Sequence, residues 1–166
     1  MMRIFLISGY SSTGKTTLIE RLVPVLIERG HKVATIKSAN EDVSPKSGTD
    51  TWKHANAGAD PAILLGPNST IIQHSRRLQL ETLARQLDVD FILVEGMKQT
   101  DLPKLWCIGN ASLGDIPKNV RAIVQWEGGV VLRNPPAPIL MSDEIDQIAS
   151  IVEKDAVTVS KLVESD

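Results

Sequence analysis

A second cysteine, an excess of either charge and long apolar runs are all missing from this sequence, and each absence narrows what the chain can be. Cys107 is the single cysteine among 166 residues, so no intramolecular disulfide can form, which suits a reducing compartment. Lys plus Arg number 18 against 20 Asp plus Glu, leaving no basic surplus to act as a general nucleic-acid footprint. The local pair Arg76-Arg77 reads as solvated surface. No stretch approaches the roughly 18 apolar residues that a spanning helix needs. The apolar run that opens the chain is too brief for a signal peptide, and it leads into a glycine-rich turn rather than a small-residue cleavage site. A cytoplasmic protein without nucleic-acid or membrane partners is therefore expected. No internal repeat or long linker appears, and 166 residues with 42% apolar content fit one domain, residues 1–166, with a core of its own.

Arg3 to Ser8 is almost continuously apolar, as in a strand buried on both faces of a parallel sheet. From Lys15 the period turns helical, with Leu18, Leu22, Val25 and Leu26 on one face and Gly30 as the stop. Pro24 lies inside that helix and removes the bond to the Glu20 carbonyl, at about 3 kcal/mol unless the helix kinks. Lys32 to Lys37 completes a βαβ unit. A polar loop over Ser38 to Thr49 precedes a short helix from Asp50 to Ala57. Residues 62–65 and 70–73 flank Gly66-Pro67-Asn68-Ser69 as a strand pair joined by a tight turn. A helix over Leu78 to Leu87 follows, then strands at Asp90 to Val94, Lys104 to Ile108 and Val120 to Gln125. After the irregular Asn134-Pro135-Pro136-Ala137-Pro138, a helix is expected over Asp143 to Lys154. Alternating strands and helices imply a three-layer α/β domain with a mostly parallel sheet and an antiparallel hairpin extension.

The densest signal is Gly9-Tyr10-Ser11-Ser12-Thr13-Gly14-Lys15-Thr16, a P-loop followed by Thr17. Its two glycines let the backbone curl so that successive N–H groups face one anion, and the helix that follows points its positive end at the same place. Lys15 is placed to reach the β- and γ-phosphates, and the Thr16 hydroxyl to ligate Mg²⁺. With Gly at about 7% of residues, the pattern arises by accident in roughly one chain in two hundred of this size. The flanking buried strand and amphipathic helix reduce that further.

P-loop sites add an acid at the end of a neighbouring buried strand. Glu95 stands there, and Gly96 beside it allows close backbone approach to a γ-phosphate. Asp88 and Asp90 precede the strand and read as cap and surface residues. Asp50 is either a third Mg²⁺ ligand on a phosphate-sensing segment or the N-cap of its helix. His54 faces the same site or is a surface histidine, and Lys37 sits at the ligand-binding edge of the sheet with a functional and a structural reading both open.

Taken together these blocks resemble the molybdopterin-guanine dinucleotide biosynthesis adaptor family, MobB. The resemblance runs through the P-loop and on to Glu20, then Val33 to Lys37, Asp50 to Asp60, Phe91 to Lys98 and Leu102-Pro103-Lys104. It covers about the first two thirds of the chain. The P-loop alone is not specific to that family; the Thr-Ile-Lys strand, the Asp-to-Ala-Gly-Ala segment and the Val-Glu-Gly strand end are. Two positions depart from it: Ser38 replaces a histidine, and Met97 replaces an aromatic residue. Where that histidine acts at the nucleotide, its loss leaves hydrolysis weaker or differently arranged. The resemblance implies a homodimeric, Mg²⁺-dependent GTP-binding protein with at most weak GTPase activity. It also implies the molybdopterin guanylyltransferase, and molybdoenzymes receiving the finished cofactor, as partners.

Guanine itself is not readable, because Asn-Lys-x-Asp is absent; Gln125, Trp126 and the proline-rich loop are candidates for a base contact. Three other functions compete. A small-molecule kinase on the same scaffold needs an arginine-bearing lid, for which Arg76-Arg77 is too little. A metallochaperone GTPase needs clustered ligands, whereas His31, His54, His74 and Cys107 are scattered. A pure binding module would never turn over.

Overall fold

A computed structural model describes residues 1–42, 46–109, 115–129 and 132–162. The chain divides into two compact units: Met1–Ser38 with Ala84–Asp166, and Ala39–Leu83. Part of the expected loop over 38–49, residues 43–45, lies outside the described residues.

The first unit is built on β1 (Arg3–Gly9), whose side chains from Ile4 to Ile7 are fully buried. Around it lie β2 (Val33–Lys37), β5 (Phe91–Glu95), β6 (Lys104–Ile108), β7 (Val120–Gln125) and β8 (Ile139–Met141), in the order β2-β5-β1-β6-β7-β8. Every neighbouring pair in that order is parallel. A two-residue strand, β9 (Val157–Thr158), pairs antiparallel with the start of β1. Such a sheet is covered on both faces, which explains why β1 and β5 read as continuous apolar runs instead of alternating ones.

Helix α1 (Lys15–Glu28) presents Leu18, Leu22 and Leu26 to Phe5, Ile7, Phe91 and Leu93. Four-residue spacing keeps those leucines on one stripe. The helix continues through Pro24 and ends at Gly30, φ +88°, where the His31 amide bonds the Leu26 carbonyl and the Gly30 amide the Ile27 carbonyl. That pair of hydrogen bonds is a Schellman motif, and it requires the left-handed residue that glycine supplies. Beside α1 packs α4 (Ile145–Asp155), burying Ile148, Ala149 and Val152. Arg29 bridges the two helices, 2.8 Å from Asp146 and 2.7 Å from Glu153. At the opposite edge from the P-loop, Asp90 accepts the Lys32 amide and Asp88 meets its ammonium, each at 2.8 Å. Those two acids are therefore surface ties, as their place before the strand indicates.

The second unit contains α2 (Asp50–Asn56) and a separate two-stranded sheet of β3 (Ala62–Leu65) and β4 (Thr70–Gln73). The hairpin falls at the residues expected, but forms its own sheet and is not bonded to the main one. Asp60, behind it, accepts the Ser75 amide at 3.0 Å and faces His74 at 3.3 Å. The hairpin exposes Ile63, Leu64, Leu65, Ile71 and Ile72, each at least half accessible.

Two expectations change. The helix anticipated over 78–87 is reduced to α3 (Leu80–Ala84), which buries only Ala84. Short helices depend on a packed face, and this one has almost none. The last strands, β8 and β9, went unseen because three and two residues are too few to show a period.

Cys107, on β6, lies wholly inside the cluster beneath α1. Burial pushes its thiol up to about 12, with a smaller opposing pull from Lys15 and a small further push from Glu95. Since the thiolate is the reactive form, the folded protein is expected not to react with a thiol reagent at pH 8, and to react once when denatured. Fast labelling of the native chain would contradict this packing.

Candidate phosphate-binding site

The sheet order places the end of β1 between β5 and β6, so whatever β1 leads into sits in a crevice at the carboxyl edge of the strands. It leads into the P-loop. Gly9 has φ +148°, and a Cβ on it would lie 2.4 Å from the Cys107 carbonyl oxygen on β6. Gly14 has φ +82°, and a Cβ there would lie 2.2 Å from the Trp126 indole nitrogen. Both glycines are thus required by conformation and by contact. Ser12 also adopts a left-handed conformation, φ +59°.

Within the loop the Thr13 hydroxyl donates to the Tyr10 carbonyl at 2.9 Å, and the Lys15 ammonium donates to the same oxygen at 2.5 Å. The amides of Lys15, Thr16 and Thr17 open α1, where no earlier turn offers them a carbonyl. Ser11, Ser12, Thr16 and Thr17 are exposed, and Thr13 is buried. Tyr10 stands edge-on to Trp106 with ring centroids 5.6 Å apart, and the Lys98 ammonium lies 4.6 Å over its ring.

Glu95 reaches the loop from β5. Its Oε2 accepts the Thr16 hydroxyl at 3.0 Å, while Lys37, its register partner on β2, lies 3.8 Å from Oε1. Thr16 and Glu95 therefore bring two hard oxygen donors together, the type of donor that Mg²⁺ takes. Gly96, φ +108°, is engaged differently. Its amide donates to Ile7 at 3.0 Å, its carbonyl accepts the Ser8 hydroxyl at 2.6 Å, and a Cβ would meet the Ser38 carbonyl at 2.9 Å. The glycine is accounted for by the passage of Ser38, and its N–H is already bonded within the sheet.

Asp50 belongs to the second unit. Thr49, not Asp50, is the N-cap of α2, accepting the Trp52 amide at 3.4 Å. Asp50 is the first helical residue, highly exposed and 3.2 Å from Lys53. His54 is exposed on the same helix. Among the described residues, no group of three or more His, Cys, Asp and Glu side chains is arranged to hold a metal.

Two contributors were given no role at the site by the sequence pattern, although Lys104 falls in one of the blocks of the resemblance. Ser8 is a wholly buried hydroxyl, and its position at the end of an apolar run just before Gly9 is the only hint. Lys104 opens β6 and is also wholly buried; its ammonium donates to the carbonyls of Lys98 and Thr100, tying down the segment after Glu95. Burial lowers the pKa of that ammonium, with Asp101 opposing.

With this geometry in place, comparison with known proteins gives a consistent result. The profile of the family described as "Molybdopterin guanine dinucleotide synthesis protein B" matches residues 4–126. A Haemophilus influenzae relative named "Molybdopterin-guanine dinucleotide biosynthesis adapter protein" is 39% identical over 105 residues, 60% of this chain and 59% of that protein. An Escherichia coli relative of the same name is 33% identical over 113 residues, 63% of this chain and 65% of its own length. The matches thus span less than two thirds of the curated relatives. The crystal structure of Bacillus subtilis MobB superimposes with a TM-score of 0.71 at 25% identity, over 90% of this chain and 97% of that one. The fold is accordingly the α/β fold of that structure, with the mostly parallel sheet and small antiparallel pair expected.

The loop geometry separates two glycines experimentally. At Gly30 a Cβ meets nothing, so Gly30→Ala is expected to cost about 1 kcal/mol from its positive φ alone. Gly9→Ala adds a collision with backbone, and is expected to cost roughly 2–3 kcal/mol more in urea unfolding. Equal costs for the two would contradict the approach of the loop to β6.

Proposed function

The chain belongs to the molybdopterin guanine dinucleotide synthesis protein B family, and on that premise we propose that it is a Mg²⁺-dependent GTP-binding adaptor with at most weak GTPase activity. The observation that carries the phosphate part is the convergence of Thr16 and Glu95 at the mouth of the Gly9–Thr16 cradle. In this reading the amides of Tyr10 to Thr17 and the Lys15 ammonium hold the phosphates. Lys15, now folded onto the Tyr10 carbonyl, exchanges that oxygen for phosphate oxygens. Thr16 and Glu95 would hold the Mg²⁺, which supplies charge neutralisation between the β- and γ-phosphates. Asp50 as a further ligand has only its place in the sequence in its favour.

The relatives are named as adapter proteins of molybdopterin-guanine dinucleotide biosynthesis. The same role here means assisting the enzyme that joins GMP to molybdopterin, and contact with molybdoenzymes that receive the product. We place the chain in the cytoplasm as a homodimer; among the described residues no helix is long and apolar enough to cross a membrane. Ile63 and Ile72 pair on one face of the β3–β4 hairpin and Leu64 and Ile71 on the other, and these exposed apolar side chains support self-association.

Lys15→Ala is expected to abolish GTP binding in equilibrium titration; unchanged affinity would refute the phosphate site. Glu95→Gln is expected to retain nucleotide and lose Mg²⁺-dependent turnover, itself on the order of 10⁻⁴ per second in the isolated protein, as for a P-loop without an arginine finger. A strong preference for ATP, or phosphoryl transfer to a metabolite, would replace the adaptor with a small-molecule kinase. For the dimer, light scattering is expected to give twice the chain mass, falling to one chain mass in Leu65→Glu/Ile71→Glu. A monomeric parent protein would dismiss that assignment.

A further inference from the structure

The P-loop explains phosphate binding and leaves the other half of a nucleotide without a place. The sheet order supplies one. Glu95, the acid at the metal end, comes from β5 on one side of β1. A triphosphate whose γ end points toward β5 has its α-phosphate and nucleoside directed to the other side, over the ends of β6 and β7. What stands at the end of β7 is Trp126.

Three observations make Trp126 more than a packing residue. Its indole occupies the space a side chain at Gly14 would take, with Nε1, Cε2 and Cζ2 within 2.4 Å of the ideal Cβ position. Its Nε1 donates to the Thr13 carbonyl at 3.0 Å, gripping the peptide between Thr13 and Gly14 that leads into α1. Finally, the Arg21 guanidinium, from the exposed side of α1, lies 5.0 Å from the ring centroid and reaches the Ser142 carbonyl at 3.5 Å. The indole is itself held by a tight turn, in which the Gly129 amide bonds the Trp126 carbonyl at 3.0 Å and Gly128 takes φ +80°. An indole with a guanidinium layered on it is the kind of surface on which a nucleobase stacks, because both present flat faces to a π-system.

We infer that Trp126 and Arg21 form the wall against which the nucleoside half of the bound triphosphate lies, and that Trp126 is at the same time the positioning residue for the Thr13–Gly14 peptide of the phosphate cradle. This rests on the triphosphate reading above, and it deepens it. Base and phosphates are then read by two elements joined through one hydrogen bond, and the selective contact comes from the Gln125–Gly129 turn, where the sequence carries no Asn-Lys-x-Asp.

Calorimetric titration of GTP and of inorganic tripolyphosphate, each with Mg²⁺, tests it on the full chain. Arg21→Ala removes an exposed side chain and is expected to weaken GTP by about tenfold, the scale of one stacking contact, while leaving tripolyphosphate within about twofold. Trp126→Phe keeps an aromatic face but loses the donor to Thr13, and is expected to weaken both ligands by the same factor. Should Trp126→Ala fail to fold, those two variants still decide. Loss of GTP and tripolyphosphate in equal measure from Arg21→Ala, or no loss of either, overturns the nucleoside wall. Tripolyphosphate binding untouched by Trp126→Phe overturns the positioning role. If the parent protein binds neither ligand, the triphosphate reading itself falls, a result distinct from the others.

Discussion

The structure depends on bare backbone passing where side chains cannot. At Gly9 the chain leaves β1 against the Cys107 carbonyl, and at Gly14 it enters α1 beneath the Trp126 indole. Those two approaches fix both ends of the loop, next to the point where the Thr16 hydroxyl meets Glu95. The parallel sheet makes this possible, because a buried β1 flanked by β5 and β6 gives the loop a rigid floor on both sides. Helix α1 then anchors the far end through Leu18, Leu22 and Leu26. Fixing amides in advance matters, since a loop that had to order itself around phosphate would lose affinity to conformational entropy.

Charge at the site is arranged around Glu95. Its carboxylate is mostly shielded and has a hydroxyl on one oxygen and the Lys37 ammonium near the other. Register decides this: parallel pairing puts Lys37 and Glu95 side by side at the ends of β2 and β5. Of the two readings of Lys37 left open by the sequence, that pair shows the structural one, the lysine balancing the acid. Beyond Glu95, Lys104 holds the carbonyls of Lys98 and Thr100 from inside the fold. A buried ammonium is costly unless its donors are satisfied, so the segment after the acid is constrained from below.

Most of the fold was legible because its main elements carry strong patterns. The apolar runs of β1 and β5, the leucine stripe of α1 and its Gly30 stop, and the turn at Gly66–Ser69 each have a local cause. Where the local cause was weak, the reading failed. The segment over 78–87 has helical periodicity but only Ala84 to bury, so the helix shrinks. Helix α2 is capped by Thr49, one residue before the acid the sequence offers for that place, because the threonine hydroxyl reaches Trp52 while Asp50 turns to Lys53.

By itself the sequence determined the glycine-bounded loop from Gly9 to Thr16, the strand and helix on either side of it, and the acid at the end of β5. Those features follow from spacing and composition within a few residues, which is the range over which dihedral preference and hydrophobic period act. Tertiary structure alone decided who stands next to whom: Ser38 against Gly96, Lys104 under the segment after Glu95, and Trp126 and Arg21 over the entrance to α1. Between Thr13 and Trp126 the chain runs through more than a hundred residues. No local pattern encodes a contact at that distance, because it exists only once the sheet has set the order of its strands.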